Sequence, residues 1–559
     1  MKILGLKLTH DGSVAVLEDG LLTFATEMEK VGNAPRYTKM PSIRDALALL
    51  DREGHPLVSF DSVVIDGWKG GQAKTAIGET YPVAGYHEFD GAGDRELMER
   101  KTFHNPAART LSDYASFTHM AGHIIGGYVA SPFAGETVHV LSWDGGQQPR
   151  LHRVSPSEQK FIAAGPAFYG ILYALMGLFF GPYRDDAVRK LGAADDIGEF
   201  MKTRPAYDIP GKLMSYIAKG NVSLALLRAL HEINEELAAI HFQLHGTALT
   251  YNQDWRYEHS LLTACDVVRP SGAMDADVLA TLHQFQSDAL QRFVASHVPP
   301  GSPLIFVGGS ALNIKWNSAL RSAGYRVWVP PFPNDAGSAI GAAACEAAFH
   351  GQWGMSWNVY AGAKVDASIA PLTEGWRSGK CSIEGLANRL WRNPREAIVV
   401  LHGRAEIGPR ALGHRSIFAS ATEEGNKALL NAAKGREDFR PVAPICLEEN
   451  APEIFAPGSR DPFMLFDHAV RAAWSRKIPA VVHLDGTARL QTVGADGSPF
   501  VRELLTAYRA KTGVPLLCNT SANFNGKGFF PDVRSAQQWC EGKDVRHVWS
   551  EGTLYERMK

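Results

Sequence analysis

The run PLIFVGGSALN, residues Pro303–Asn313, joins an apolar strand-like segment to a glycine pair and then to a helix-forming stretch. Leu304–Val307 has the length and the β-branched, aromatic character of a buried strand. Gly308 and Gly309 then let the backbone turn and approach a ligand closely. The same design recurs on either side. Upstream, Thr137-Val-His-Val-Leu-Ser-Trp143 is a buried-strand pattern that ends in Asp144-Gly145-Gly146, a carboxylate beside a flexible turn of phosphate size. Downstream, Arg326-Val-Trp-Val-Pro330 leads through a loop carrying Asp335 into Ala336-Gly-Ser-Ala-Ile-Gly-Ala-Ala343, a small-residue helix whose N-terminus can face a ligand.

Recurrence of such joints at strand ends suggests an α/β chain with a duplicated nucleotide-binding domain of the actin and sugar-kinase type (ASKHA), in which ATP lies in a cleft between two similar halves. Gly145, Gly146, Gly308, Gly309 and Asn313 are its candidate nucleotide contacts. A helical pattern from about Tyr114 to Ala130 contains His119-Met-Ala-Gly-His123. Histidines four apart share one helix face, roughly 6 Å apart, a spacing suited to chelating one ion. Together with Asp144 and Asp335 they make a two-His, two-Asp set for iron(II), manganese or zinc; mixed nitrogen and oxygen donors do not choose among these. At the start of the chain, Lys2–Leu8 and Ser13–Leu17 read as strands joined by a turn bearing Thr9, His10, Asp11 and Ser13, which can hold a phosphate or a substrate hydroxyl. Glu27–Met40 is a charged, Gly/Pro-interrupted loop able to reach a ligand, and residues 200–295 read as helices lining or covering the cleft.

Composition shifts after His350, with a linker at Gly351–Trp357, giving expected domains 1–352 and 353–559. In the second, the apolar run Ala397–Leu401 is followed by GRAEIGPRALGHRS, Gly403–Ser416, in which Arg404, Arg410 and Arg415 surround a Gly-Pro turn. Guanidinium forks grip phosphate or carboxylate bidentately, and glycines add backbone N–H donors, so the stretch is a candidate anion cradle. Lys434, Arg436 and Arg440, then Arg489, then Asn519 and Ser521, follow apolar strand-like runs of their own. Converging on one pocket, they would suit a small, highly charged phosphoryl-acyl compound.

Overall balance narrows the partners. Among 559 residues, 57 Lys and Arg against 59 Asp and Glu leave a net charge of −2, which suggests neither a nucleic-acid nor a membrane partner. The opening MKILGLKLTHDG reads as neither a signal peptide nor a membrane span. Six cysteines without a CxxC pair disfavour zinc ribbons and disulfide frameworks and fit a reduced cytoplasm.

GRAEIGPRALGHRS, KGREDFRPVAP (Lys434–Pro444), DGTARLQ (Asp485–Gln491) and NTSANFNGKG (Asn519–Gly528) together resemble the O-carbamoyltransferases of the nodulation-factor, cephamycin and tobramycin type. HDGS, HMAGH, DGG and NDAGSAIGAA resemble that family's first domain, so the likeness runs nearly end to end. It implies a second domain similar to the threonylcarbamoyl-adenylate synthase (YrdC-like) fold, which makes carbamoyl adenylate from carbamoyl phosphate and ATP. The first domain would pass the carbamoyl group to a hydroxyl of a secondary metabolite. On this resemblance Arg415, Lys434 and Arg489 are catalytic. Arg404, Arg410, Arg436, Arg440, Asn519 and Ser521 bind carbamoyl phosphate and the adenylate. His119, His123, Asp144 and Asp335 hold the metal, iron(II) in a relative, and His10 is the general base on the acceptor. Magnesium is expected with ATP, and a homodimer is compatible with the fold. The chain departs from the family pattern at Ile407 and His414, where phenylalanine and asparagine are commoner, and at NTSAN in place of NTSFN. Two other readings are a threonylcarbamoyl-type transferase acting on tRNA, which the near-neutral charge disfavours, and a non-catalytic actin-like nucleotide-binding regulator, which has no use for the arginine-rich second domain.

Overall fold

The computed structural model describes residues 1–88, 96–105, 111–190, 204–245 and 256–558, so residues 200–203 and 246–255 of the expected cleft-covering helices lie outside the described residues. The chain forms two compact units of mixed α/β structure. One comprises Met1–Leu8, Val16–Leu21 and Val58–Ser356, the other Thr9–Ala15, Leu22–Leu57 and Trp357–Lys559.

In the first unit one strand order occurs twice. Strand Lys2–Lys7 has Ser13–Glu18, of which Val16–Glu18 belong to this unit, on one side. On the other side lie Ser62–Ile65, parallel to it, and then Asp113–Ser116, parallel again. Strand Val138–Ser142 likewise has its hairpin partner Arg150–Ser155 on one side, with parallel Pro303–Val307 and Arg326–Trp328 on the other. Each set is followed by a helix, His119–Val129 after the first and Ser338–Phe349 after the second. The helical pattern read from Tyr114 onward is corrected here. Asp113–Ser116 pairs as a strand with Lys101–His104, and the helix starts only after Thr118, whose side chain accepts the Ala121 N–H as an N-cap.

Both terminal helices are buried almost all round, which their small apolar residues permit. They cross where glycine faces glycine. A Cβ on Gly341 would lie 2.3 Å from the Gly122 carbonyl oxygen, and one on Gly126 would lie 2.8 Å from the Gly341 Cα. Helix Ser338–Phe349 also lies directly on the first strand, since a Cβ on Gly5 would lie 2.0 Å from the Ala339 carbonyl oxygen. Close backbone approach at these points fixes where His119 and Asp335, at the amino-terminal ends of the two helices, come to rest.

The second unit is built on an eight-stranded sheet in the order Trp376–Lys380, Thr553–Arg557, His547–Ser550, Ala397–Leu401, Arg415–Ser420, Leu516–Ser521, Ala443–Leu447, Gln491–Val493. Helices Ile383–Arg392 and Pro499–Thr512 pack against each other beside it, each begun by a serine N-cap, Ser382 and Ser498. Pro499 opens the second at a position where its missing N–H costs nothing, and Gly513 ends it in the left-handed conformation. A core from Trp376 to Trp549 fills the space between helices and sheet. No helix of the described residues is long and apolar enough to cross a membrane.

Candidate metal centre and anion site

At the helix crossing of the first unit, one donor atom from each of His119, His123, Asp144 and Asp335 falls within 4.8 Å of the others. The Nε2 atoms of His119 and His123 face each other at 3.2 Å and lie 3.4 and 3.5 Å from Asp335 Oδ1. Two nitrogens bound to one ion at about 2.0–2.1 Å in tetrahedral geometry are about 3.3 Å apart, so the observed spacing fits a shared cation. The sequence-predicted ligand set is thus brought together, and its donors suit a divalent ion.

The surroundings aim these ligands. Asp144 follows strand Val138–Ser142; its Oδ2 accepts the Tyr86 hydroxyl at 2.6 Å and its Oδ1 the Gly309 N–H at 2.8 Å. Burial and Asp335 oppose its ionisation, but His123, His119 and Tyr86 outweigh them and hold its carboxyl below the usual range. Asp66, just past strand Ser62–Ile65, accepts from His119 Nδ1 at 2.9 Å and from Lys7 Nζ at 2.8 Å. Burial and Lys7 disfavour charge on the His119 ring; Asp66 and Asp335 prevail and hold its pKa up at about 9 in the metal-free protein.

The glycine-rich turns serve this centre first. Gly308 has φ +90, and a Cβ there would lie 2.5 Å from the Trp143 carbonyl oxygen, so only glycine lets this turn fold against Asp144. Asn313 caps helix Ile314–Ser322, its Oδ1 accepting from Lys315 N and Trp316 N. Gly145 leaves open space above its Cα. Sequence reasoning missed Lys7, Asp66 and Tyr86, although Asp66 ends an apolar strand just as Asp144 does.

In the second unit, GRAEIGPRALGHRS forms a loop wrapped around one buried carboxylate. Glu406 Oε1 accepts the N–H groups of Leu412, His414 and Arg415 at 2.7, 2.8 and 3.2 Å. The three arginines of the stretch part company. Arg404 pairs with Glu53 at 3.0 Å and with the Gly362 carbonyl. Arg415 points its two terminal nitrogens at the carbonyls of His402, His414, Ala363 and Gly403, at 2.7–3.1 Å. Its donors brace the loop. Lys434 is likewise occupied: all three of its N–H donors meet acceptors, the Ser521 and Asn523 carbonyls and Asn523 Oδ1.

Arg410 turns the other way, toward Arg436, Arg440 and Arg489, and Arg36 joins them from the amino-terminal segment of the same unit. All five are half-buried. Burial first, and then mutual repulsion, push the guanidinium of Arg436 down to about 9, that of Arg410 to about 10 and that of Arg489 well below its usual value. Two carboxylates act on the group: Glu437 lies 3.6 Å from Arg440, and Asp461 acts on Arg489. Among the described residues, the buried Nε atoms of Arg410 and Arg489 meet no acceptor. On the flanking strand Leu516–Ser521, Asn519 donates to Ala411 O and Gln491 while its buried Oδ1 meets no donor among the described residues, Thr520 accepts from Arg436, and Ser521 donates to Asn523. Such a cluster could hold a dense anion. Arg36 was not singled out from the sequence, where the only signal was a charged loop long enough to reach a ligand. Its place is set by the backbone, Arg36 N–H donating to Gly526 O and Gly528 N–H to Ala34 O. His10, also in this unit, holds Asp11 Oδ2 at 2.9 Å through its Nδ1.

Residues 2–345 match the family model for the carbamoyltransferase N-terminus, and residues 391–557 that for the carbamoyltransferase C-terminus. Nodulation protein U of Sinorhizobium fredii (strain NBRC 101917 / NGR234) is 41% identical over 583 residues, covering 100% of this chain and 99% of that protein. The 3'-hydroxymethylcephem-O-carbamoyltransferase of Streptomyces clavuligerus is 29% identical over 567 residues, again with 100% and 99% covered, and that of Amycolatopsis lactamdurans is 30% identical over 571 residues, with the same shares covered. The chain belongs to the carbamoyltransferase family.

Proposed function

We propose that this carbamoyltransferase is ATP-dependent and directs the carbamoyl group to oxygen: it makes carbamoyl adenylate from carbamoyl phosphate and ATP, then carbamoylates a hydroxyl of a small secondary metabolite. The observation that carries this reading is the convergence of Arg36, Arg410, Arg436, Arg440 and Arg489, close enough for their charges to oppose one another. Carbamoyl phosphate and a nucleotide triphosphate are the dense anions that would relieve their repulsion. We read the second unit as YrdC-like and the first as actin-like, its twice-used strand order supporting the latter.

In the second unit the arginines would neutralise the phosphates, with Asn519 and Ser521 at the rim and Arg415 and Lys434 bracing the loop and strand that carry them. Water would cleave carbamoyl phosphate to carbamate and inorganic phosphate; a carbamate oxygen would then attack the α-phosphorus of ATP and expel pyrophosphate, leaving carbamoyl adenylate. The acceptor oxygen then attacks the carbamoyl carbon, losing its proton to a base and expelling AMP. His10, oriented by Asp11, is the residue proposed to take that proton. His119, His123, Asp144 and Asp335 would hold the divalent ion, iron(II) with manganese or zinc as alternatives. When bound, the ion would act as a Lewis acid that steadies charge on the phosphate and carbonyl oxygens. Gly145, Gly146, Gly308, Gly309 and Asn313 would border the nucleotide there, with magnesium accompanying ATP. A net charge of −2 favours a small-molecule acceptor over tRNA. The test is transfer of label from carbamoyl phosphate, with ATP, into a panel of hydroxyl-bearing metabolites. Stable label in product that depends on both co-substrates is expected; label incorporated without ATP would contradict the reading.

A further inference from the structure

We propose that Lys7 and Asp66 are positioning residues of the metal centre: Asp66 sets the proton and ring orientation of His119, while Lys7 holds Asp66 and the ligand Asp335 together. The inference rests on the metal-centre reading and goes beyond it to side chains that are not ligands. Asp66 Oδ2 lies 2.9 Å from His119 Nδ1, so that nitrogen keeps a ring proton as donor and Nε2, which faces the centre, is the nitrogen left to bind an ion in exchange for its own proton. Lys7 Nζ bridges two carboxylates, 2.8 Å from Asp66 Oδ2 and 3.2 Å from Asp335 Oδ2. It also lies 3.9 Å from the centre of the Trp68 ring, whose face stabilises a cation.

Charge explains why the lysine is there. Asp144 and Asp335 together balance one divalent ion. Asp66 adds a third carboxylate within the same buried volume, and the Lys7 ammonium, only 1% exposed, cancels it. Asp66 can therefore orient His119 without leaving the ion-loaded centre with a net negative charge. Trp68 and Tyr86 pack against the His119 ring at centroid distances of 5.2 and 5.0 Å, which limits the ring to rotation in its plane or tilting. The hydrogen bond to Asp66 removes that remaining freedom.

A buried ion pair that served only the fold would behave differently from one that orients a ligand, and the two are separable. Cobalt(II) is titrated into the full-length, metal-free protein, with affinity read by competition against a chromophoric chelator and coordination by the visible d–d spectrum. Wild type is expected to bind one equivalent. Asp66→Ala should bind roughly 10- to 100-fold more weakly, as metal sites do on losing such a partner, with an altered spectrum. Asp66→Asn, which keeps an oxygen to accept from Nδ1–H, should recover part of the loss. The double variant Lys7→Met/Asp66→Leu replaces the pair by apolar groups of similar size; where circular dichroism and a cooperative melt show it folded, it should bind cobalt as weakly as Asp66→Ala. Wild-type affinity and spectrum in that double variant would overturn the proposal while leaving the metal centre intact. Failure of the wild-type protein to take up cobalt would overturn the metal-centre reading and the proposal with it.

Discussion

Arg489 sits among like charges, so its removal has two opposite consequences. Without an anion, Arg489→Met relieves repulsion on Arg410 and Arg440 and should raise the melting temperature. With pyrophosphate as ligand, the same variant loses a charge-assisted hydrogen-bond donor, and its affinity should fall by roughly 10- to 100-fold. Calorimetric titration and thermal melting of one preparation check both signs; an arginine that merely packed would move both the same way. Arg36→Gln should follow the same pattern. His414 gives a pH signature. Its ring stacks on Tyr360 at 3.7 Å, with Nδ1 2.8 Å from the Arg404 carbonyl and Nε2 2.8 Å from Ser498 Oγ. Burial, only partly offset by Glu406, pushes its pKa down to about 4. The folded state therefore takes up its proton later than the unfolded chain, whose value is about 6.5. The stabilising contribution is complete above about 6.5 and is lost as the pH falls toward about 4, up to about 3 kcal/mol in all. Urea midpoints between those limits, read by tryptophan fluorescence, should fall more steeply for wild type than for His414→Asn. The four candidate ligands that the structure brings together were legible at this scale because spacing on a helix and carboxylates at strand ends both leave local patterns. For Arg415 and Lys434 the sequence shows a basic side chain but not the carbonyls that its donors meet in the fold.

The crossing of helices His119–Val129 and Ser338–Phe349 depends on atoms that are not there. Replacing Gly341 by alanine would ordinarily favour a helix by about 1 kcal/mol. Here the new Cβ lies 2.3 Å from the Gly122 carbonyl oxygen, 2.6 Å from its carbonyl carbon and 2.9 Å from its Cα, all backbone atoms, which cannot turn aside. Overpacking of this kind costs about 1–3 kcal/mol or more, so the clash decides the sign. Gly341→Ala should lower stability and, by moving Asp335 relative to His119, weaken metal binding. Alanine placed at Gly145, which meets nothing, serves as the control. Small residues in the NDAGSAIGAA stretch announced a helix, but which glycine meets which backbone is settled only by packing. The strand-like runs before Asp144, Gly308 and Asn519 were readable from apolar length alone, whereas Asp113–Ser116 was read as helix because its alternation is short and a helix follows at once.

At the scale of the whole molecule, the division into units is discontinuous, with Thr9–Ala15 and Leu22–Leu57 belonging with the carboxy-terminal part of the chain. A reading along the sequence divides a chain at breaks in composition, and segments this short carry none, which is why the amino-terminal Arg36 escaped notice as a member of the arginine cluster. The two chemistries proposed for the two units should be separable by mutation. His123→Ala should abolish carbamoyl transfer to an acceptor while pyrophosphate release continues, and Arg489→Met should abolish both. Comparison of the two rates in the same preparations checks this. The arginine cluster as the place where carbamoyl phosphate meets ATP is tested most directly by pyrophosphate release from ATP with no acceptor present. Release that requires carbamoyl phosphate, and that falls sharply in Arg489→Met, is the predicted result. Release that proceeds equally without carbamoyl phosphate, or unchanged in that variant, would contradict it.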